Sequence, residues 1–174
     1  MKLEKYGVIL NRVTHDKIEM IRSWRNDPKI SKYMENREFI TPNMQEKWFE
    51  KTNNDCNYFF IIEFENKEVG LVNIKDIDYE KKIGEGGMFI YDDEYLNSDV
   101  SFRASLCICD FFFEDLNLEM KIAHVLNDNK RAIKYNLMLG FEEQQNQENI
   151  YNKVYNLNKE NYLKKRTYIS KLLR

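Results

Sequence analysis

The stretch Ile83-Gly84-Glu85-Gly86-Gly87-Met88-Phe89-Ile90-Tyr91, with the apolar run from Ala104 to Phe113 that follows it, decides the fold. Apolar and aromatic residues bounded by glycines are typical of a buried strand, and the second run is typical of a helix buried on most of its circumference. Between them, residues 92–101 are rich in Asp, Asn and Ser and predict a turn. The free amides of a helix's first turn favour negative charge, so this corner suits a diphosphate. The turn itself contains no glycine.

The composition is that of one globular domain, which we expect to span residues 1–174. Of the 174 residues, 43% are hydrophobic and 14% aromatic, which is enough to fill a core. The formal net charge of -2 disfavours nucleic acid as a partner. The charged start of the chain and the lack of a long apolar run predict a cytoplasmic protein without a membrane partner.

The cysteines and histidines do not predict a metal site. Cys56, Cys107 and Cys109 are odd in number and lack metal-type spacing, and the histidines are His15 and His124. We therefore expect no metal and no disulfide framework, with Cys107 and Cys109 as small buried thiols. His15 is expected at the surface.

The N-terminal half predicts one strand and two helices. Residues 6–13 alternate as a strand does. Thr14 then caps a helix that ends at Asp27-Pro28, because the residue before a proline is pushed out of the helical region. Thr41-Pro42 marks a second helix start. The apolar residues expected on the buried faces of these helices are Ile18, Ile21, Trp24, Met44, Trp48 and Phe49.

The rest of the chain predicts a three-stranded antiparallel meander followed by alternating strands and helices. After the buried helix, the order strand, helix, strand, helix implies one parallel pair of strands. The expected fold is therefore α/β of the α+β type, with a central mixed, mostly antiparallel sheet flanked by helices. The expected elements are strands at 58–64, 69–79, 83–91 and 121–126, a helix at 129–139 ended by Gly140, a hairpin of 141–145 with 150–157, and a C-terminal helix at 158–173 capped by Asn158. Residues expected on the apolar side of that last helix are Tyr162, Ile169, Leu172 and Leu173.

Three segments resemble the GNAT family of acyl-CoA-dependent N-acetyltransferases. Asn129-Lys130-Arg131-Ala132-Ile133, followed by Leu139-Gly140-Phe141, resembles the family's fourth helix, which commonly reads Asn-x-x-Ala-Ile and ends in Leu-Gly-Phe. Glu85-Gly86-Gly87-Met88-Phe89-Ile90 resembles the family's fourth strand. Trp24-Arg25-Asn26-Asp27-Pro28 resembles the Trp-Arg-Asn segment of members that act on protein N-termini and on nucleotide-linked amino sugars. The segments occur in the family's order, so the resemblance spans residues 6–157 and implies the GNAT fold.

The resemblance implies acetyl-CoA as co-substrate. In the family, the fourth and fifth strands splay apart, the pantetheine arm lies between them, and the pyrophosphate sits at the start of the third helix. An amine attacks the thioester carbonyl, and a backbone amide of the fourth strand stabilises the oxyanion. The residues that the resemblance implies as cofactor-binding are Met88, Phe89, Ile90, Asn97, Ser98, Asp99, Val100, Ser101, Phe102, Asn129, Ala132 and Asn136.

Two positions depart from the family pattern. Members usually carry glycines in the pyrophosphate loop, whereas residues 96–101 here contain none. Asp99 in this loop either places a negative charge near the diphosphate or caps the helix that follows. Many members also carry a tyrosine in the fourth helix that protonates the departing thiolate. Asn136 takes that place here, and Tyr135, one residue early, should face elsewhere because one residue is about 100 degrees around a helix.

Glu85 is the candidate catalytic base, since it opens the strand where family members often hold a carboxylate that takes the amine's proton. The alternative is a solvent-facing glutamate at a strand end. His124, on the opposite strand face from Ala123 and Val125, could reach the substrate cleft and titrate near neutral pH. A partly buried, hydrogen-bonded histidine is the favoured alternative for His124.

Trp24, Arg25 and Asn26 are the other candidate substrate residues. Trp24 would form a wall of the site, and Arg25 would contact an anion such as the diphosphate of a nucleotide sugar. Plain core packing is an equal alternative for Trp24, given its helical spacing from Ile21, and Asn26 would otherwise cap the helix end.

The narrower resemblance is to acetyltransferases of surface-polysaccharide loci that modify an amino group on a nucleotide-linked deoxysugar. It rests on Trp24-Arg25-Asn26, on the helix start Thr41-Pro42-Asn43-Met44-Gln45 and on the glycine-free loop. It implies a small-molecule amine as substrate and a monomer or homodimer. Two alternatives stay open: an acetyltransferase of protein N-termini, as in the ribosomal-protein branch, and a GNAT-shaped binding protein without catalysis.

Overall fold

An eight-stranded sheet in the order β1-β2-β3-β4-β5-β6-β8-β7 organises the computed structural model, which describes residues 1–173. Every neighbouring pair is antiparallel except β5 and β6, which are parallel. The expected mixed, mostly antiparallel sheet and its one parallel pair are confirmed. The strands are β1 Lys2–Lys5, β2 Val8–Arg12, β3 Tyr58–Phe64, β4 Lys67–Asp78, β5 Ile83–Ile90, β6 Met120–Leu126, β7 Glu142–Glu143 and β8 Asn152–Asn158.

Helices cover both faces of this sheet. The helices are α1 Ile18–Asn26, α2 Pro28–Ser31, α3 Pro42–Thr52, α4 Val100–Asp110, α5 Lys130–Leu139 and α6 Lys159–Leu172. On one face, α1 packs on β3 and β4 through Ile18, Ile21 and Trp24, which are buried as expected. On the other face, α4 is buried along most of its length and continues as a π-helical turn, Phe111–Asp115. Burial of both sheet faces explains why β3 and β4 read as nearly continuous apolar runs.

The start of the chain differs from the expected single strand at residues 6–13. A hairpin of β1 and β2 occupies it instead, and Tyr6-Gly7 forms the turn with φ angles of 57° and 76°. Positive φ at both central residues is the geometry of the tight hairpin turn, and glycine adopts it without strain. The edge strand β1 was missed because its residues are mostly exposed and charged, so they carry no apolar alternation.

Side-chain caps start four of the helices. Thr41 and Asn158, as expected, and also Asp27 and Asn129, each accept a hydrogen bond from a backbone N–H in the first turn of the helix that follows. Gly140 ends α5 with a φ of 98°, the left-handed C-cap conformation.

Three expected helix contacts are wrong. Thr14 makes no side-chain cap: its hydroxyl donates to Asp16, and a 3-10 turn, His15–Lys17, precedes α1. Met44 is 41% exposed, and Gln45 takes the buried position instead. Leu172 is 60% exposed, whereas Tyr162 and Ile169 form the buried side of α6. Met44 and Leu172 lie close to helix ends, where apolar periodicity constrains the packing least.

A buried carboxylate joins the N-terminal hairpin, α4 and α6. Asp110 is 3% exposed and accepts hydrogen bonds from Lys5, Tyr6, Tyr162 and Arg166. Burial alone would raise the pKa of Asp110, but hydrogen bonds from Lys5, Tyr162, Arg166 and Tyr6 outweigh burial and lower it. A carboxylate whose pKa is lowered in the folded state stabilises the fold above the ordinary aspartate pKa, and this stabilisation is lost as the pH falls through the lowered value.

We expect Asp110→Asn to lower the free energy of unfolding by about 3 kcal/mol at pH 7, because it leaves Lys5 and Arg166 without the carboxylate that they share. Urea unfolding measures this difference, which should shrink on acidification below about pH 4, where Asp110 of the unfolded wild-type chain takes up a proton before the folded carboxylate does. Glu114→Gln is the matched control, since Glu114 also accepts from Arg166 but its side chain is 41% exposed. The control should change stability by less than about 1 kcal/mol. Equal losses in the two variants would contradict this role for Asp110.

Candidate active site

Strands β5 and β6 are paired only at their beginning. Their register runs Ile83 with Met120, Gly84 with Lys121 and Glu85 with Ile122, and stops there. Beyond this point β5 pairs only with β4, and β6 only with β8. Successive residues of a strand direct their backbone groups to opposite edges, so every second residue of the segment 86–90 presents its N–H and C=O to the gap. The splayed strands that the family resemblance implies are therefore present.

One face of the gap is closed by a buried lysine. Lys121 is 5% exposed, and its Nζ lies 3.4 Å from the Sγ of Cys109 in α4. Its side chain crosses Gly86 so closely that a Cβ on that residue would lie 2.1 Å from the lysine Cε. A side chain at position 86 would therefore clash with Lys121, which explains the glycine there. The sequence did not predict this contact. Cys107 and Cys109 are buried thiols as expected, and burial raises the pKa of Cys107 to about 12.

The opposite face carries three titratable side chains from three adjacent strands. Lys75 on β4 is in register with Glu85 on β5, and its Nζ lies 3.0 Å from Glu85 Oε1. His124 on β6 places its Nδ1 3.2 Å from Glu85 Oε2. Gly87 and His124 are exposed, so this face of the sheet is open beside α1. The structure thus brings Glu85 and His124 together, and it adds Lys75, which the sequence did not single out.

Two amide side chains flank this cluster on the same sheet face. Asn73 is in register with Gly87, and Asn156 is in register with Ile122, which precedes His124 by two residues. The Oδ1 atoms of Asn73 and Asn156 are buried and have no hydrogen-bond partner within residues 1–173. Buried polar atoms are normally hydrogen-bonded, so these two oxygens lack the donors that such atoms usually have.

The Trp-Arg-Asn segment lies at the end of α1. Trp24 is 7% exposed and stacks on Tyr91, with ring centroids 5.2 Å apart, so it belongs to the core between α1 and the end of β5. Arg25 is largely buried, its Nε has no hydrogen-bond partner among the described residues, and burial lowers its pKa. Asn26 does not cap the helix: its side-chain amide donates to the carbonyl of Ile40 and accepts from the Ile40 N–H, which fixes the chain ahead of α3.

The structure contradicts one of the two alternatives for Asp99, the helix cap. Asp99 makes no side-chain cap and instead forms a two-pronged ion pair with Arg103, at 2.9 and 2.8 Å. This pair follows the i, i+4 spacing of a helix. Within residues 1–173, the backbone N–H groups of Ser101 and Phe102 have no hydrogen-bond acceptor. Two free amides at the start of a helix therefore remain available to an anion despite the missing glycines. Asn97 and Ser98 are exposed in this turn, whereas Val100 is buried.

Helix α5 lines the far side of this corner. Asn129 uses its side-chain oxygen to cap the helix at Ala132 N, and Asn136 donates from its side chain to the Ala132 carbonyl. The Tyr135 hydroxyl donates to the carbonyl of Ser101 in α4. This hydrogen bond links α5 to α4. Burial raises the pKa of Tyr135, which makes its hydroxyl a poor proton donor.

The described residues give two further results. Within residues 1–173, no cluster of three or more His, Cys, Asp or Glu side chains has the arrangement of a metal site. Across the same residues, no helix combines the length and apolar character that crossing a membrane requires.

The Acetyltransferase (GNAT) domain family matches residues 8–142 of the chain. The chain therefore belongs to the GNAT family and is an acetyl-CoA-dependent N-acetyltransferase. The open gap between β5 and β6 and the free amides at the start of α4 fit this co-substrate, since they offer backbone groups to its arm and an anion site to its phosphates.

Solved structures share this fold. The spermidine N-acetyltransferase from Vibrio cholerae in complex with CoA and spermine is 21% identical, with a TM-score of 0.78, and the match covers 90% of this chain and 98% of that one. Apo FdhC, a nucleotide-linked sugar GNAT, is 20% identical with a TM-score of 0.82, covering 100% and 99%. A putative acetyltransferase from T. thermophilus is 16% identical with a TM-score of 0.79, covering 99% and 97%. No curated protein matches the chain.

We expect Asp99→Asn to tighten CoA binding about two- to fivefold at low salt, because it removes a negative charge near a helix N-terminus. Isothermal titration with CoA measures the dissociation constant, and added salt should narrow the difference. Asp93→Asn is the control, since Asp93 lies in the same connection but is paired with Lys29 and its side chain is 72% exposed. Weaker binding by the Asp99 variant would contradict a phosphate site at this turn.

Proposed function

We propose that the chain transfers an acetyl group to the amino group of a nucleotide-linked amino-deoxysugar. The observation that carries this proposal is Arg25, a largely buried guanidinium whose Nε has no partner within residues 1–173. Leaving a buried cation without an anion is costly, and a phosphate on the substrate would supply the missing charge and acceptor. Arg25 follows Trp24 on α1, and the ring of Trp24 packs against Phe89 near the end of β5.

The charges on the open sheet face also favour an anionic or neutral substrate over a polyamine. Glu85 is the carboxylate of this cluster, and both of its oxygens already face cations or a histidine, from Lys75 and His124. A polyamine carries several positive charges and would need additional carboxylates. The free oxygens of Asn73 and Asn156 suit the hydroxyl and amide donors of a sugar. FdhC, a nucleotide-linked sugar GNAT, matches the full length of this chain, which is consistent with the proposal.

Each part of the site would have a separate role in the reaction. Acetyl-CoA supplies the activated acetyl thioester. The backbone of Met88, Phe89 and Ile90 would bind the pantetheine arm, and the amides of Ser101 and Phe102 would bind the pyrophosphate. The Glu85–His124 pair would take the proton of the amine, and a backbone N–H directed into the gap would stabilise the oxyanion.

A panel of amines tests the substrate class. Release of CoA thiol should be fast with nucleotide-linked amino sugars and slow with the same sugars lacking the nucleotide, with spermidine and with peptides that carry a free N-terminus. Turnover of peptides alone would overturn the sugar proposal in favour of a protein N-terminal acetyltransferase. Absence of turnover with every amine, together with absence of CoA binding, would favour a GNAT-shaped binding protein.

We expect Arg25→Met to raise KM for the nucleotide sugar about 10- to 100-fold while changing kcat little, because a charge-assisted hydrogen bond contributes about 1.5–3 kcal/mol. Arg25→Lys keeps the charge without the planar fork and should lie between wild type and Met. The melting temperature separates this role from a structural one, since loss of an unpaired buried charge should not lower it. A lower melting temperature with an unchanged KM would contradict the substrate contact.

A further inference from the structure

We infer that the proton of the substrate amine goes to Nε2 of His124, and that Glu85 acts on the reaction through the histidine. Under this assignment His124 is the catalytic base and Glu85 is a positioning residue. The assignment deepens the proposed amine acetylation and rests on it. It does not depend on which amine is the substrate.

The surroundings of Glu85 argue against direct proton uptake. One carboxylate oxygen lies 3.0 Å from the Lys75 ammonium, and the other lies 3.2 Å from the ring nitrogen of His124. Both carboxylate oxygens are thus already engaged by neighbouring side chains. The Glu85 side chain is also only 23% exposed, which leaves little room for an amine to approach either oxygen.

His124 has the free basic atom that Glu85 lacks. Its Nδ1 faces the carboxylate, while its Nε2 has no hydrogen-bond partner within residues 1–173. A neutral imidazole has one N–H and one acceptor nitrogen, and a carboxylate at Nδ1 favours the proton there. Nε2 then keeps its lone pair. The side chain is 37% exposed on the open face of the sheet, so an amine can reach that atom.

The approach of His124 Nδ1 to Glu85 Oε2, at 3.2 Å, is an ion-pair contact without the alignment of a hydrogen bond. Catalytic hydrogen bonds are often long in unliganded proteins and tighten when substrate binds. The arrangement of a base whose second nitrogen is oriented by a carboxylate is the general logic of catalytic triads.

The charges around the pair are few on this face. Lys75 from β4 faces Glu85, and Arg25 from α1 is the buried cation of the helix layer on this side. From β8, the neighbours in register are Val154 and Asn156, which carry no charge. Lys121 points to the opposite face, where it contacts Cys109. Glu85 is thus the one carboxylate in contact with His124 among residues 1–173, so it alone can compensate a charged imidazolium there.

The proton balance is simple. The substrate enters as an ammonium group and gives one proton to Nε2, which leaves a neutral amine with a free electron pair for attack. His124 becomes an imidazolium, and the Glu85 carboxylate compensates its charge across the Nδ1 contact. The imidazolium then returns this first proton to solvent. Attack forms the N–C bond and breaks the C–S bond of the thioester, and the second amine proton, released as the amide forms, neutralises the departing CoA thiolate. The products are the amide, CoA thiol and one proton in solvent, and the chain is unchanged after one turnover.

The tautomer of His124 tests the assignment without substrate or cofactor. The chain contains two histidines, so a correlation of imidazole nitrogens with ring protons gives two sets of signals, and His15→Gln assigns them. At a pH where both rings are neutral, we expect His124 to carry its proton on Nδ1 in the wild type. Glu85→Ala should move the proton to Nε2, which free histidine prefers. A wild-type His124 protonated on Nε2 would overturn the assignment, whatever the substrate is.

Kinetics provide the second test. We expect His124→Gln to lower kcat about 10²- to 10⁴-fold, the usual contribution of a general base. The rise of kcat/KM with pH in the imidazole range should disappear in this variant and persist in Glu85→Ala, which keeps the ring but loses its orientation. Added imidazole should restore part of the activity of His124→Gly. His15→Gln is the control, because His15 is 66% exposed and paired with Glu46 outside the cleft, and it should match the wild type. An unchanged pH profile in His124→Gln would make Glu85 the base.

Discussion

The early end of pairing between β5 and β6 is the constraint on which the rest of the site depends. The two strands share three register pairs and separate after Glu85 and Ile122. A parallel pair that continued would satisfy every backbone group of Gly86–Ile90 and leave nothing for a ligand. Because pairing stops, backbone donors and acceptors remain free in the interior of the sheet as well as at its edges. The gap left by these missing hydrogen bonds is where we propose that the pantetheine arm binds.

The separation also sorts side chains onto two faces with different chemistry. On the α4 face, the Lys121 side chain passes over Gly86 and contacts the thiol of Cys109, so it closes this face of the gap where the two strands separate. On the other face, Lys75, Glu85 and His124 come from three strands and meet in the open. The buried charge network at Asp110 lies away from this site and joins the N-terminal hairpin to α4 and α6. Charges that stabilise the fold and charges available for chemistry are thus kept apart.

Local signals in the sequence predicted much of the fold. The caps at Thr41 and Asn158 and the glycine at 140 act through residues three or four positions away, so spacing alone locates them. The Asp99–Arg103 pair has the i, i+4 spacing of a helix and could have been predicted from it. The loop pattern indicated Asp99 only as a helix cap or as a charge near the phosphates. The hairpin strand β1 was missed because a charged edge strand carries no apolar alternation.

The candidate site was predictable only residue by residue. Glu85 and His124 were each singled out from strand patterns, but their contact depends on the register of β5 against β6, and Lys75 joins them through the register of β4. A shift of one residue in either pairing would send a side chain to the opposite face. The link from Asn26 to Ile40 and the path of Lys121 across Gly86 likewise join residues far apart in the chain, which single-sequence patterns do not encode.

Backbone amide NMR of the uniformly ¹⁵N-labelled protein, titrated with CoA, tests the central claim most directly. The account predicts that CoA shifts the amide signals of Gly86–Ile90 and of Ser101 and Phe102, while those of the N-terminal hairpin, Lys2–Arg12, stay in place. Absence of any shift at millimolar CoA, or shifts confined to other parts of the chain, would contradict a cofactor slot between β5 and β6.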